Sequence, residues 1–177
     1  MLKIGTHDSV SGEKGKGILS FLLIPFSRTQ SKTIAEQIEA GCRWFDIRVR
    51  KDKDKWICAH GLWVCKRSAD DILSQINTIE GEVCARITYE GWDEHDYLAQ
   101  VEEWHNKYPN IKLETINVKY PKWTTLKVYN YIPCQDKYIH LDFSSWHTFI
   151  PIPWLWKKIY YNHVEFNDDS YTVVDFL

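Results

Sequence analysis

Two histidines and an arginine lie beside short hydrophobic stretches of this sequence. The polar residues fall in four segments, residues 5–9 (Gly-Thr-His-Asp-Ser), 45–48 (Phe-Asp-Ile-Arg), 60–61 (His-Gly) and 173–176 (Val-Val-Asp-Phe). Of two neighbouring imidazoles, one can accept a proton from an attacking oxygen while the other donates a proton to a leaving oxygen. A guanidinium can hold the non-bridging oxygens of a phosphate through charge-assisted hydrogen bonds. This combination of side chains is suited to phosphoryl transfer.

Each segment also has a structural explanation when it is considered alone. A histidine on a hydrophobic strand can be a satisfied core residue, Asp8 can cap a turn, and Arg48 can belong to a structural ion pair. A joint site is favoured because all four segments lie at or just beyond predicted strands. In α/β barrels the carboxyl ends of the strands carry the active-site groups, since the loops there are free to vary.

The hydrophobic pattern predicts strands that alternate with helices. Strands are expected at residues 2–4, 44–49, 56–59, 83–89, 126–132, 138–143 and 171–176, and the polar residues 51–55 predict a hairpin connection. Thr33 and Glu36 form a capping box for one helix, and Ser68 and Asp93 can cap two more. The apolar stripes of these last two helices are Ile72, Leu73, Ile76 and Ile79, and Tyr97, Leu98, Val101, Trp104 and Tyr108.

This alternation indicates an α/β fold with a largely parallel sheet. A full eight-fold barrel usually needs about 200 residues or more, whereas this chain has 177. We therefore expect a trimmed or irregular TIM-type (β/α) barrel with mostly parallel strands, formed by residues 1–177 as a single domain.

Charge and cysteine content restrict the partner and the compartment. The net charge of −2 argues against nucleic acid as a partner, because phosphate backbones require a basic surface. The five cysteines contain no Cys-x-x-Cys pair and are expected to be reduced and mostly buried, which suits the cytoplasm. We find no signal peptide in the sequence, so the expected location is cytoplasmic, or secreted if a leader has been removed, and peripheral at membranes.

The order and spacing of residues 5–9, 37–48 and 60–61 resemble the X region of phosphatidylinositol-specific phospholipases C, in particular the small bacterial, metal-independent type. The likeness is strongest over residues 4–61 and extends to residues 138–145 and 173–177. It implies a phosphodiesterase that cleaves phosphatidylinositol-type lipids into diacylglycerol and a cyclic inositol phosphate.

The resemblance implies a role for each matching residue. His7 would be the general base on the inositol 2-hydroxyl, oriented by Asp175. His60 would be the general acid for the diacylglycerol oxygen, assisted by Asp8. Arg48 would bind the phosphate and stabilise its developing charge. Because the nucleophile is a hydroxyl of the substrate itself, no serine or cysteine nucleophile is required.

Two further residues are expected near the substrate. Asp46 would support Arg48 or a histidine. Arg86 lies near the strand that carries a lysine in the family, and a structural ion pair is its alternative role. Calcium-dependent members of the family place an acidic ligand where Arg48 stands, so the resemblance implies that neither a metal nor another cofactor is used.

Two other functions stay open from the sequence. Metal-dependent glycerophosphodiester or sphingomyelin phosphodiesterases also use two histidines, but they need a Glu-x-Asp metal pair where this chain has Asp46-Ile-Arg48. An inactive module that binds inositol phosphates or lipids would need the arginine, but it would not need both an acid and a base.

A phospholipid substrate also implies transient contact with a membrane surface. Residues 18–26 and 146–158 are rich enough in apolar and aromatic side chains to make it, although both could instead pack against the barrel. The expected partner is a phosphoinositide or a related phospholipid.

Overall fold

The computed structural model describes residues 3–91, 94–117, 134–135, 171–174 and 177. Its strands are β1 (Ile4–Thr6), β2 (Cys42–Asp52), β3 (Lys55–His60), β4 (Trp63–Ser68), β5 (Val83–Tyr89), β6 (Ile111–Asn117), β7 (Cys134–Gln135) and β8 (Tyr171–Val174). Its α-helices are α1 (Gly17–Leu22), α2 (Ile24–Ser27), α3 (Ile34–Glu39), α4 (Ala69–Ile76) and α5 (Glu94–Lys107), and a 3-10 helix covers Ser9–Gly12.

These strands form one mixed sheet with a parallel centre. β1 pairs with β2 on one side and with β8 on the other, and the pairs β2–β5, β5–β6 and β7–β8 are also parallel. β3 pairs antiparallel with the second half of β2, and β4 pairs antiparallel with β3. The predicted hairpin at residues 51–55 is confirmed. Within the described residues β6 and β7 each pair on one side only, so closure into a barrel stays a prediction.

The two faces of the sheet differ in chemistry. The odd-numbered residues of β2 from Phe45 to Val49 belong to the larger hydrophobic core, together with the buried stripes of α4 and α5. Trp44 belongs to a smaller cluster without helical residues. Because successive side chains of a strand point to opposite faces, Asp46 and Arg48 share the face of Trp44. The polar candidates of β2 therefore lie on the face away from these helices.

The helix predictions are confirmed where the structure describes them. α3 begins at a capping box between Thr33 and Glu36, and α4 begins at one between Ser68 and Asp71. The predicted stripe of α4 is buried, and so is that of α5 apart from the partly buried Leu98. Asp93, the expected cap of α5, lies outside the described residues.

The observed strands differ from the predicted ones in two respects. The first strand lies at Ile4–Thr6 rather than at residues 2–4. Gly5 is closely surrounded there, since a Cβ on it would be 3.1 Å from side-chain atoms of Trp44 and Val173, which would have to shift. β4 and β6 were not predicted. Charged residues interrupt the apolar pattern of β6. Among the described residues, Lys112 pairs with Glu82 beside β5 and Glu114 pairs with Arg86 on β5. The expected strands at residues 126–132 and 138–143 lie outside the described residues.

Two expectations from composition can also be compared with the structure. The four cysteines whose side chains are described are free and buried, as predicted: Cys42, Cys58, Cys65 and Cys84. Burial raises the pKa of Cys42 to about 11, so its thiol stays protonated at neutral pH. None of the described helices is long and apolar enough to cross a bilayer.

Two fully buried glutamines hold the loop that follows β1. Gln37 donates to the carbonyls of Ser9 and Lys32 at 2.7 and 2.8 Å and accepts from the Thr6 hydroxyl at 2.7 Å. Gln30 donates to the carbonyl of His7 at 3.0 Å, donates to Val174 O at 2.8 Å and accepts from Leu177 N at 3.1 Å. Each carboxamide uses both its donors and its acceptor, so the loop is tied to β8 and to α3.

Replacement of Gln30 by leucine should therefore be costly. The substitution keeps the size of the side chain but removes one of two donors from each of the carbonyls of His7 and Val174 and removes the acceptor of the Leu177 N–H, which should lower the free energy of unfolding by about 1–3 kcal/mol. Urea unfolding measures this difference. Gln100→Leu, which removes one exposed contact with Glu103, is the matched control and should change stability by less than about 0.5 kcal/mol. Equal effects of the two variants would contradict an anchoring role of Gln30.

Candidate active site

Four parts of the chain meet at the carboxyl end of the parallel strands. His7 directly follows β1, Arg48 lies near the end of the parallel part of β2, and Glu90 directly follows β5. The antiparallel strand β3 returns to the same place and ends at His60. The sheet topology thus joins segments that are separated by up to 83 positions in the sequence.

Asp8 occupies a conformation that few residues other than glycine adopt. Its φ of 46° and ψ of 51° lie in the left-handed region, which costs a side-chain-bearing residue roughly 1–2 kcal/mol. The Asp8 N–H donates to Asp46 Oδ2 at 3.1 Å, and the Asp8 carbonyl accepts from Ser11 N at 2.9 Å. These contacts hold the strained residue with its carboxylate beside His60.

Asp8 and His60 form the shortest ion pair of the site. His60 Nδ1 is 2.6 Å from Asp8 Oδ2, and the Asp8 side chain is only 3% exposed. Burial by itself would lower the pKa of His60, but the Asp8 carboxylate outweighs burial and raises that pKa to about 9. His60 therefore carries a proton at neutral pH.

His7 has a cation as its nearest neighbour instead. Arg48 Nη2 is 2.9 Å from His7 Nε2, and Asp46 Oδ2 is 3.8 Å from the same nitrogen. A guanidinium can only donate hydrogen bonds, so in the contact with Arg48 the imidazole accepts through the Nε2 lone pair of its neutral form. The backbone of His7 is fixed as well, because its N–H donates to Val174 O at 3.1 Å and its carbonyl accepts from Thr29 and Gln30.

Three carboxylates surround Arg48. Its Nε is 3.6 Å from Asp8 Oδ1 and 3.7 Å from Asp46 Oδ2, and its Nη1 is 3.3 Å from Glu90 Oε1. Burial by itself would lower the pKa of Arg48, but the three negative charges raise it, so the guanidinium is always charged. Among the described residues there is no group of three His, Cys, Asp or Glu side chains that could hold a metal ion.

Asp46 is a buried member of the cluster. Its side chain is 4% exposed and accepts from Thr88 Oγ1 at 3.0 Å as well as from the Asp8 N–H. Burial by itself would raise the pKa of Asp46, but the positive charge of Arg48 contributes most to lowering it. Asp46 therefore contacts both Arg48, through an ion pair, and the backbone of Asp8, through a hydrogen bond.

Arg86 lies beside this cluster, because it is the register partner of Asp46 on the neighbouring strand and its positive charge helps to lower the pKa of Asp46. Arg86 Nε is 3.5 Å from Glu114 Oε2, and the guanidinium lies 4.8 Å from the centre of the Trp44 ring. The structural ion pair, which the sequence left as the alternative for Arg86, is thus present. Asp175 lies outside the described residues, so its contact with His7 stays a prediction.

Glu90 belongs to the cluster but was not predicted. Its carboxylate accepts from Arg48 Nη1 at 3.3 Å and from the Gly61 N–H at 2.9 Å, and so links two of the predicted segments. A signal for it was present in the sequence, because Glu90 is an acidic residue directly after the predicted strand at residues 83–89. The other segments were selected because they carry ionisable residues at or just beyond a predicted strand, and Glu90 meets the same criterion.

Comparison with known proteins identifies the fold. No protein-family model matches the chain, and no curated protein matches it in sequence. Among solved structures, the phosphatidylinositol-specific phospholipase C of Listeria monocytogenes matches with a TM-score of 0.69 at 18% identity, over 99% of this chain and 88% of that chain. The chain has the fold of the bacterial phosphatidylinositol-specific phospholipases C. The resemblance predicted from the motifs is confirmed at the level of the fold.

Two structures of a Staphylococcus aureus phosphatidylinositol-specific phospholipase C have the same fold. A mutant of that enzyme matches with a TM-score of 0.60 at 14% identity, over 98% of this chain and 84% of that chain. A structure concerned with modulation of its membrane binding matches with a TM-score of 0.51 at 17% identity, over 68% of this chain and 49% of that chain.

The protonation of His60 can be tested without any substrate. In Asp8→Asn, loss of the carboxylate charge should lower the pKa of His60 from about 9 toward its ordinary value of 6.5. Titration of the imidazole signals by NMR measures the shift. Asp52→Asn, at an exposed position, is the control and should leave His60 unchanged.

The same change should alter the pH dependence of stability. Because the pKa of His60 is higher in the folded protein, the ion pair stabilises fully below about pH 6.5, and this contribution is lost as the pH rises through about 9. Asp8→Asn should lack this loss. A pKa of His60 that stays near 9 in Asp8→Asn would show that another group holds the proton.

Proposed function

We propose that this protein is a phospholipase C-like phosphodiesterase that cleaves phosphatidylinositol-type lipids into diacylglycerol and a cyclic inositol phosphate. The observation that carries the proposal is that the nearest partners of the two histidines carry opposite charges. His7 presents a lone pair, His60 presents a proton, and Arg48 lies next to His7. An acid and a base that are both ready at neutral pH are what the cleavage of a phosphodiester requires.

The first half of the reaction uses His7 and Arg48. His7 Nε2 accepts the proton of the inositol 2-hydroxyl as its oxygen attacks the neighbouring phosphorus. Arg48, which donates to His7 Nε2, turns its N–H groups to the non-bridging phosphate oxygens as negative charge develops there. Because nucleophile and phosphate belong to one molecule, the attack benefits from proximity and no enzyme nucleophile is needed.

The second half uses His60. The bond between phosphorus and the glycerol oxygen breaks, and His60 transfers its proton to that oxygen, so that diacylglycerol leaves as a neutral alcohol. Asp8 keeps His60 charged before this step and stabilises its position. Asp46 and Glu90 hold Arg48 from two further directions. In this proposal Asp175 orients His7, as the family resemblance implies.

The proposed chemistry needs no metal or other cofactor. Arg48 provides the positive charge at the phosphate, and a divalent cation placed beside its guanidinium would be repelled. This argument favours the proposal over a metal-dependent glycerophosphodiester or sphingomyelin phosphodiesterase. An inactive binding module is disfavoured because it would gain nothing from raising the pKa of His60 while keeping His7 neutral.

The decisive experiment follows turnover of phosphatidylinositol in mixed micelles with EDTA, by phosphorus NMR of the cyclic product. The wild type should produce cyclic inositol phosphate in EDTA, and His7→Ala should be slower by about 10²–10⁴-fold, because it lacks the general base. His105→Ala, which changes a histidine on α5, is the control and should keep the wild-type rate.

Two other outcomes would redirect the proposal. Product that appears only after a divalent cation is restored would favour the metal-dependent enzymes. Tight binding of the lipid without turnover under any condition would favour the binding module.

An exposed apolar surface lies beside the site. We call the following six residues, which are 52–79% exposed, the apolar rim: Ile18, Leu19, Phe21, Leu22, Phe26 and Leu62. α2 is next to the site because the carbonyl of Ser27 is 3.2 Å from His60 Nδ1, and α1 is joined to β4 through contacts of the Ser20 hydroxyl with Val64. The expectation that residues 18–26 can contact a membrane is therefore kept as a proposal, with the apolar rim as the contact surface. Residues 146–158 lie outside the described residues.

Charges introduced on the apolar rim should weaken binding to lipid vesicles. Leu22→Asp with Phe26→Asp removes two large apolar side chains from the contact, which should reduce vesicle binding more than about tenfold. Sedimentation with phospholipid vesicles measures binding. The control is Ala40→Asp with Ser74→Asp, which adds the same two charges at exposed positions elsewhere. Unchanged vesicle binding of the rim variant would contradict this surface, whereas its hydrolysis of a water-soluble substrate should stay at the wild-type rate.

A further inference from the structure

The turn that follows His60 is held in an unusual way. Gly61 and Leu62 connect β3 to β4 between the paired residues His60 and Trp63, and Gly61 has a φ of 56°. Both polar backbone groups of Gly61 contact charged side chains. Its N–H donates to Glu90 Oε2 at 2.9 Å, and its carbonyl accepts from Arg50 Nη1 at 2.6 Å.

An exposed two-residue turn does not need such contacts to form. The backbone groups of Gly61 are exposed and water could satisfy them, while ordering two long side chains costs conformational entropy. Glu90 is itself held, since its N–H donates to Val49 O at 3.0 Å. Arg50 lies two positions after Arg48 on the same face of β2. The contacts thus connect the turn to β2, which carries Arg48, and to the end of β5, which Glu90 follows.

We propose that Arg50 and Glu90 act as a clamp on Gly61 that positions His60 as the general acid. This inference rests on the proposed function and assigns two positioning residues to it. His60 Nδ1 must stay beside Asp8 for Nε2, on the other side of the ring, to reach the leaving oxygen. A displacement of about 1 Å in such a group can reduce a rate about 10²-fold.

Glu90 also connects the acid to the phosphate site. One of its oxygens accepts from Arg48 and the other from Gly61, so a single carboxylate fixes both the guanidinium and the turn. Arg50 acts on the turn from the other side, through the carbonyl of Gly61. The two side chains therefore restrict the peptide groups on both sides of Gly61, directly after His60.

If the clamp positions the general acid, the loss of kcat/KM in an Arg50 variant should depend on the leaving group of the substrate. A glyceride oxygen leaves poorly without a proton, whereas nitrophenolate leaves well without one. In Arg50→Gln, kcat/KM for phosphatidylinositol should fall about 10–100-fold, and that for a water-soluble nitrophenyl inositol phosphate by less than about threefold. Arg50→Lys should restore part of the loss. Arg43→Gln, which changes an arginine at the opposite end of β2, should match the wild type on both substrates.

Titration of His60 by NMR tests the clamp independently of activity. Loss of the Arg50 charge by itself would raise the pKa of His60, whereas a turn that moves away from Asp8 would lower it from about 9. We expect a fall in Arg50→Gln, a smaller fall in Arg50→Lys and no change in Arg43→Gln. Arg50→Met, which also removes the donor to the Gly61 carbonyl, provides a second variant in case Arg50→Gln unfolds, and a fall is expected there too.

The outcomes separate the clamp from the proposed function. An unchanged or raised pKa of His60 in both Arg50→Gln and Arg50→Met would overturn the clamp, and so would equal losses of kcat/KM on the two substrates. A wild type that turns over neither substrate would overturn the proposed function, while the titration of His60 would still decide whether the turn is held by Arg50 and Glu90.

Discussion

The candidate site depends on the contacts of one group, the guanidinium of Arg48, with three carboxylates. Asp8, Asp46 and Glu90 come from three different parts of the sheet and approach it at 3.3–3.7 Å. Without a positive charge between them, three poorly exposed carboxylates would repel one another, and removal of one partner from such a network is strongly destabilising. The planar, delocalised charge of an arginine can serve several carboxylates at once, which the compact ammonium of a lysine does less well. Arg48 thus organises the ends of β1, β2 and β5 around one point.

The same network gives the two histidines different chemistry. His60 faces the carboxylate of Asp8 and is charged, whereas His7 faces the guanidinium and is neutral in this arrangement. Two identical side chains thus have nearest partners of opposite charge, which is what the proposed acid and base roles require. The backbone shares in this arrangement, since Asp8 is held in a left-handed conformation by Asp46 and Ser11. Strain of this kind persists only where the surrounding structure fixes the residue.

Folding and site formation use different faces of the same strand. The residues of β2 that face α4 and α5 are apolar and build the larger core, and those on the other face include Asp46 and Arg48. The loop after β1 is anchored by the buried carboxamides of Gln30 and Gln37. Outside the sheet, the apolar rim leaves α1 and α2 exposed beside His60.

Much of the local structure, and the candidates His7, Asp8, Arg48 and His60, could be predicted from the sequence. Capping boxes, helix stripes and the alternation of strands depend on residues only a few positions apart, and an ionisable residue at a strand end is visible in the sequence itself. The contacts among these candidates could not be predicted in this way. The register of β2, β5 and β6 aligns Asp46, Arg86 and Glu114, and so places Arg86 between two carboxylates. Glu90 reaches Arg48 and Gly61 across 42 and 29 positions. The sequence by itself determined which chemical groups are present and which elements carry them. Only the tertiary structure decided which charge faces which histidine, because that depends on distances between strands that are far apart in the chain.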